Sequence, residues 1–141
     1  MKKKIIITGG LGYIGTELCK LYSGVSWYHQ ITVIDNRFIS ERVNQIRNWN
    51  MDFIQGDILD INIIKKYLKD ADVVHHLAGV TQVPRTVSEA SDTQDKKIME
   101  VAKQGTQNIL DAINNKCKII FPSTHVVYEG INEVKTNIKE G

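Results

Sequence analysis

Near the start of the chain stands Lys4-Ile5-Ile6-Ile7-Thr8-Gly9-Gly10-Leu11-Gly12-Tyr13-Ile14-Gly15, and the architecture follows from it. A short run rich in β-branched residues turns through closely spaced glycines into a segment with helical apolar spacing, the layout of a dinucleotide-binding β-turn-α unit. The glycines have separate jobs. Gly9 lets the chain turn off the strand, Gly12 lets backbone N–H groups approach a pyrophosphate, and Gly15 lets the helix pack close to the sheet. Phosphates would sit at the helix N-terminus, where unpaired amides and the positive end of the macrodipole favour an anion.

Working outward, Ile14, Leu18, Leu21 and Tyr22 follow at i, i+4, i+7 and i+8 and predict an amphipathic helix. A second β-branched run, Ile31-Thr32-Val33-Ile34, ends in Asp35, 20 residues beyond Gly15, where a carboxylate at a strand tip can accept from an adenosine ribose. A P-loop fails, because Thr16-Glu17 stands where a Lys and a Ser or Thr are required.

Further along, Ser40 is expected to cap a short helix with Val43 and Ile46 inward. Met51–Gln55 reads as a third strand ending at Gly56-Asp57, and Asp60 caps a helix carrying Ile61, Ile64 and Leu68. Asp72–Leu77 is a fourth strand running into Ala78-Gly79. From Val80 to Asp95 the composition is that of a loop. A long helix from Asp95 to Asn115 follows, with Ile98, Val101, Ala102, Gly105, Ile109, Ala112 and Ile113 on one face. Lys118-Ile119-Ile120-Phe121 is a fifth strand, closed by Pro122-Ser123-Thr124. Strands alternating with helices predict an α/β, doubly wound parallel sheet, Rossmann-like with strand order 3-2-1-4-5, as one domain over residues 1–141.

The 141 residues, 42% hydrophobic and 24% charged with a net charge of +2, read as one ordinary globular domain. That balance is too mild to argue for nucleic acid, and no apolar run approaches a membrane span, so a cytoplasmic protein is expected. Cys19 and Cys117 show no paired spacing and are expected reduced and partly buried. His75 and His76, neighbours on a strand, point to opposite faces and cannot chelate one ion, so no metal is expected.

Taken together, these residues resemble the N-terminal part of an extended short-chain dehydrogenase/reductase of the NAD-dependent nucleotide-sugar epimerase/dehydratase family. Thr8–Gly15 is similar to that family's T-G-G-x-G-x-x-G, and Asp35-Asn36, Gly56-Asp57-Ile58, His76-Leu77-Ala78-Gly79 and Ser123-Thr124-His125-Val126-Val127-Tyr128 follow in family order. The resemblance implies that NAD is held by Gly9, Gly12, Tyr13, Ile14, Gly15, Asp35, Asn36, Asp57, Ile58, Leu77, Ala78 and Gly79. It implies that Thr124, with Ser123 as neighbouring candidate, hydrogen-bonds the reacting oxygen of a nucleotide-diphosphate sugar. NAD is expected over NADP because Asp35 would repel a 2′-phosphate; Arg37, two residues on, is either solvated or a partner for that phosphate.

The chain departs from the family in the Tyr-x-x-x-Lys that does its acid-base work, since no tyrosine here has Lys four residues later. Ala102 stands where the family has Asn, and Pro122 replaces a more usual residue. The expectation is a cofactor-binding portion, fragment or naturally short, lacking the final strands and the substrate subdomain and self-associating or dimeric. Two functions follow: an NAD-dependent epimerase or dehydratase, or a non-catalytic dinucleotide-binding sensor or subunit.

Overall fold

The structure is a computed structural model that describes residues 1–80 and 92–123, the second stretch without the side chains of residues 92–95. Five parallel strands form one sheet in the order β3-β2-β1-β4-β5. They are β1 (Lys4–Thr8), β2 (Gln30–Asp35), β3 (Asp52–Gln55), β4 (Val73–His76) and β5 (Lys118–Ile120). The expected order holds, with strand ends moved by a residue or so. β1 is central because it pairs on both sides: Ile5 to Thr8 align with Ile31 to Ile34 of β2 and with Val73 to His76 of β4. A strand covered on both faces must be apolar at every position, which is what the triple isoleucine of β1 supplies.

Alternation along β1 divides the core in two. Ile5 and Ile7 join Leu11, Cys19, Ile31, Val33, Val43, Ile46 and Met51 on one face, under α1 (Tyr13–Tyr22) and α2 (Ser40–Asn48). Ile6 joins Ile34, Ile58, Ile64, Leu68, Val74 and Ile109 on the other, under α3 (Ile61–Leu68) and α5 (Thr106–Ala112). Helices on both faces make the sheet doubly wound.

Two local expectations need correction first. In α1 the buried residues are Gly15 and Cys19, while Ile14 and Leu21 are 65% and 79% exposed. A Cβ on Gly15 would lie 2.5 Å from the Gly9 carbonyl oxygen, so the glycine contact sets the phase of the helix and turns Ile14 and Leu21 outward. The residue capping α2 is Ile39, without a side-chain hydrogen bond, and Ser40 is already helical. Asp60 does cap α3, accepting from the N–H groups of Asn62 and Ile63.

The expected single long helix is instead α4 (Asp92–Glu100), a π-helical turn (Val101–Gly105) and α5. The wider turn keeps Val101 and Gly105 buried but leaves Ala102 exposed, against the expectation that it faced the core. Gly105 is where the close approach occurs: a Cβ there would meet Ile58 Cδ1 at 2.3 Å. Thr124, Tyr128 and the tail lie outside the described residues, as does residues 81–91 of the expected loop.

Candidate dinucleotide site

The C-terminal ends of β1, β2, β3 and β4 open on one edge of the sheet, and the segments 9–15, 35–36, 57–58 and 77–79, which carry the expected cofactor residues, lie at or just beyond these ends. β1 stops at Thr8, and Gly9 takes φ 70°, a left-handed conformation that a side chain would strain. Its N–H donates to Ile34 O at 2.8 Å, and a Cβ there would sit 2.7 Å from Ala78 N and Cα. The turn therefore lies directly against the chain leaving β4. Gly12 N–H donates back to Gly9 O at 3.0 Å, and the helix begins at once.

Gly12 is the N-cap of α1, with no side-chain cap and no acidic residue in the first turn. The first amides of the helix have no intrahelical partner, so the turn presents N–H groups and a positive dipole end to whatever anion occupies it. Tyr13 and Ile14, 86% and 65% exposed, flank this end as apolar side chains without cover.

Asp35, at the tip of β2, is only 5% exposed. Its Oδ2 accepts the Leu11 N–H at 3.0 Å, tying β2 to the glycine turn, while Oδ1 accepts from Arg37 N at 3.0 Å and Nε at 3.2 Å. Asn36 is exposed and donates through Nδ2 to Asp57 Oδ2 at 3.2 Å, and Asp57 Oδ1 accepts the Leu59 N–H at 2.9 Å. Asn36 and Asp57 thus close one side of the edge together. Ile58, expected beside the adenine, sends its side chain into the core instead: it is 5% exposed and packs under Gly105.

Leu77, Ala78 and Gly79 run over the top of β4. Leu77 N–H donates to Thr8 O at 3.1 Å and Ala78 N–H to Thr8 Oγ1 at 3.3 Å, while nothing lies within 4 Å of a Cβ built on Gly79. Thr8 Oγ1, which accepts from Ala78, lies 2.9 Å from His76 Nδ1, and His76 Nε2 lies 3.0 Å from Thr106 Oγ1, a hydrogen-bonded chain whose direction is set by the imidazole tautomer. Burial lowers the His76 pKa, in keeping with the neutral ring that this relay requires. The sequence places His76 in the family segment His76–Gly79 and offers it as a metal ligand, but gives no sign of these hydrogen bonds. Its partner His75 points the other way, onto Tyr22 Oη at 2.8 Å, and no group of three metal-ligating side chains exists among the described residues.

Two further residues escaped the sequence reading. Gly10 is required because a Cβ there would fall 2.2 Å from Val33 Cγ1. Asn108 is 5% exposed and donates through Nδ2 to Ile58 O at 2.9 Å and Leu59 O at 3.2 Å, pinning the segment after β3. The signal was a polar residue among apolar neighbours at 105, 109 and 112. Thr124 lies outside the described residues, and Ser123 is exposed. A cleft of about 470 Å³, lined by Lys4, Arg47, Lys66 and Tyr67 among others, opens near the opposite strand ends, away from these residues.

The family model for the 3-beta hydroxysteroid dehydrogenase/isomerase family matches residues 6–141. The chain is 35% identical over 130 residues to the UDP-N-acetyl-alpha-D-glucosaminuronate decarboxylase of Bacillus cytotoxicus, covering 91% of this chain and 38% of that protein. The UDP-glucose-4-epimerase of Stenotrophomonas maltophila, solved with bound NAD, superposes with a TM-score of 0.70 at 23% identity, over 89% of this chain and 38% of that one. The dTDP-glucose 4,6-dehydratase DesIV of Streptomyces venezuelae, solved with NAD, does so with 0.62 at 25%, over 77% and 35%. The chain thus spans well under half the length of these proteins.

Proposed function

The chain belongs to the 3-beta hydroxysteroid dehydrogenase/isomerase family, among the extended short-chain dehydrogenases/reductases, and from that premise we propose that residues 1–141 are the cofactor-binding domain of an NAD-dependent nucleotide-sugar epimerase or dehydratase. One observation carries the reading: Asp35 accepts the Leu11 amide, so the ribose-side carboxylate and the phosphate-side turn are a single rigid unit. Amides from Tyr13 to Gly15 bind the pyrophosphate, Asp35 and Asn36 face the adenosine ribose, Asp57 accepts from the adenine amine, and Leu77–Gly79 pass beneath the nicotinamide ribose. The residues fit the cofactor, because the first turn of α1 offers unpaired donors and Gly12 has no Cβ to fill the space above them. When bound, NAD supplies a hydride acceptor.

The chain's own part in the chemistry is orientation. Thr124 holds the reacting sugar oxygen, but an aliphatic hydroxyl is far too weak an acid to serve as the base. No tyrosine in these 141 residues has a Lys one helical turn on to lower its pKa. The proteins named above are enzymes, which favours an enzyme over a non-catalytic module. The two free thiols, Cys19 raised to about 12 by burial, suit a reducing cytoplasm. No helix among the described residues is long and apolar enough to cross a membrane. Self-association completes the proposal, through the outer edge of β5, unpaired among the described residues, or the long helical segment within Asp95 to Asn115.

Two measurements on the purified 141-residue chain test this reading. Calorimetric titration should show NAD binding, and steady-state assays with NAD and a panel of UDP- and dTDP-sugars should show no turnover. Absence of NAD binding would remove the dinucleotide assignment. Robust turnover would mean that another residue supplies the base.

A further inference from the structure

Arg37 decides what the ribose end of the site can accept. A carboxylate oxygen offers two lone-pair positions. Asp35 Oδ1 already takes both the N–H and the Nε–H of Arg37, and Oδ2 takes the N–H of Leu11, so one position remains. Asp35 can receive one ribose hydroxyl rather than two, and its charge is already met by a guanidinium. The Arg37 side chain is 55% exposed, and its two terminal nitrogens donate to nothing among the described residues. A Cβ built on Gly12 would lie 3.9 Å from Arg37 Nη2, which places the open end of the fork at the mouth of the glycine turn. A second cation stands close by, because Arg42 Nη1 donates to the Leu11 carbonyl oxygen.

A lone carboxylate here would repel a 2′-phosphate, the basis for expecting NAD alone. In the structure that carboxylate is paired and outnumbered, and the free face of the planar guanidinium matches two phosphate oxygens. We propose that Arg37, rather than Asp35, meets the 2′ position of the adenosine ribose, so that the site takes NADP(H) as well as NAD(H). The proposal rests on the dinucleotide reading above and deepens it.

Titrations of NAD and NADP into the purified chain test it, each at low and high salt. NADP should bind within about tenfold of NAD and should weaken more steeply with salt, because it adds a cation–phosphate contact. Arg37→Gln should lower the NADP:NAD affinity ratio about 10- to 100-fold, and Arg37→Lys, which keeps the charge but loses the fork, should lower it less. A thermal melt of each variant confirms folding, and the ratio is read on Arg37→Lys if Arg37→Gln unfolds. NADP binding more than about 100-fold weaker than NAD in the parent chain, or a ratio unmoved by either substitution, overturns the proposal and leaves the NAD site standing. If neither dinucleotide binds, both readings fall.

Discussion

Replacing Gly15 by alanine sets two effects of opposite sign against each other. Inside α1 the change should stabilise by about 1 kcal/mol, the difference in helix propensity. The new methyl, however, would lie 2.5 Å from Gly9 O, 2.6 Å from Gly10 Cα and 2.9 Å from Gly10 C. All three are backbone atoms of the turn, which Asp35, Ile34 and the packing of Gly10 on Val33 hold from the other side. Nothing there can rotate away, so either α1 lifts off the sheet or the turn deforms, at about 2–4 kcal/mol, toward the upper end of overpacking costs. The net loss should be about 1–3 kcal/mol, read from urea midpoints at constant slope, with dinucleotide binding abolished. Gly105→Ala is the control. It gains the same propensity, and its methyl meets Ile58 Cδ1 at 2.3 Å and Cγ1 at 2.8 Å, side-chain rather than backbone atoms, so it should cost less stability than Gly15→Ala. A Gly15→Ala chain as stable as the parent that still binds NAD would refute the close-approach argument.

Three other outcomes follow from the site. Asn108→Ala should destabilise by about 1–3 kcal/mol in urea melts, because it strands the carbonyls of Ile58 and Leu59; an unchanged midpoint would show that water replaces the amide. Asp57→Ala should weaken binding of adenine nucleotides, by about tenfold in titration, and unchanged affinity would remove Asp57 from the adenine subsite. Burial lowers the pKa of both His75 and His76, so the unfolded chain binds more protons than the folded one below the ordinary value of 6.5. Their contribution is complete above that value and is lost as pH falls through the folded pKa values, so urea stability should drop as the pH is lowered from above 6.5 to below it. The Asp70 carboxyl, held low by Lys4, titrates beneath this window. A flat or rising profile would contradict the burial of the two imidazoles.

What could be read from the sequence is what hydropathy and glycine spacing encode. The triple isoleucine of β1, the acid at the tip of β2 and the alternation of elements specify the sheet order, and the glycine turn points to the phosphate site. The phase of α1 was hidden because the residue that sets it, Gly15, has no side chain for a hydropathy pattern to register. The relay from Thr8 through His76 to Thr106 was hidden for another reason. Buried polar groups are stable only with partners, and those partners are 68 and 30 residues away. The pairing of Arg37 with Asp35 depends on a turn geometry that two-residue spacing alone does not fix. The π-helical turn has no compositional mark at all.

The central place of β1 also has a consequence in time. Its partner on one side, β2, is complete at Asp35, but its partner on the other, β4, is complete only at His76. During synthesis at about 5–20 residues per second, the inner edge of Ile5-Ile6-Ile7 therefore waits roughly 2–8 s after its first pairing before its second neighbour exists. That interval exposes a flat, β-branched, uncharged strand edge, the kind of segment that pairs with other chains. The lysines at positions 2, 3 and 4 stand at its entrance, and like-charge repulsion between nascent chains there opposes stacking in register.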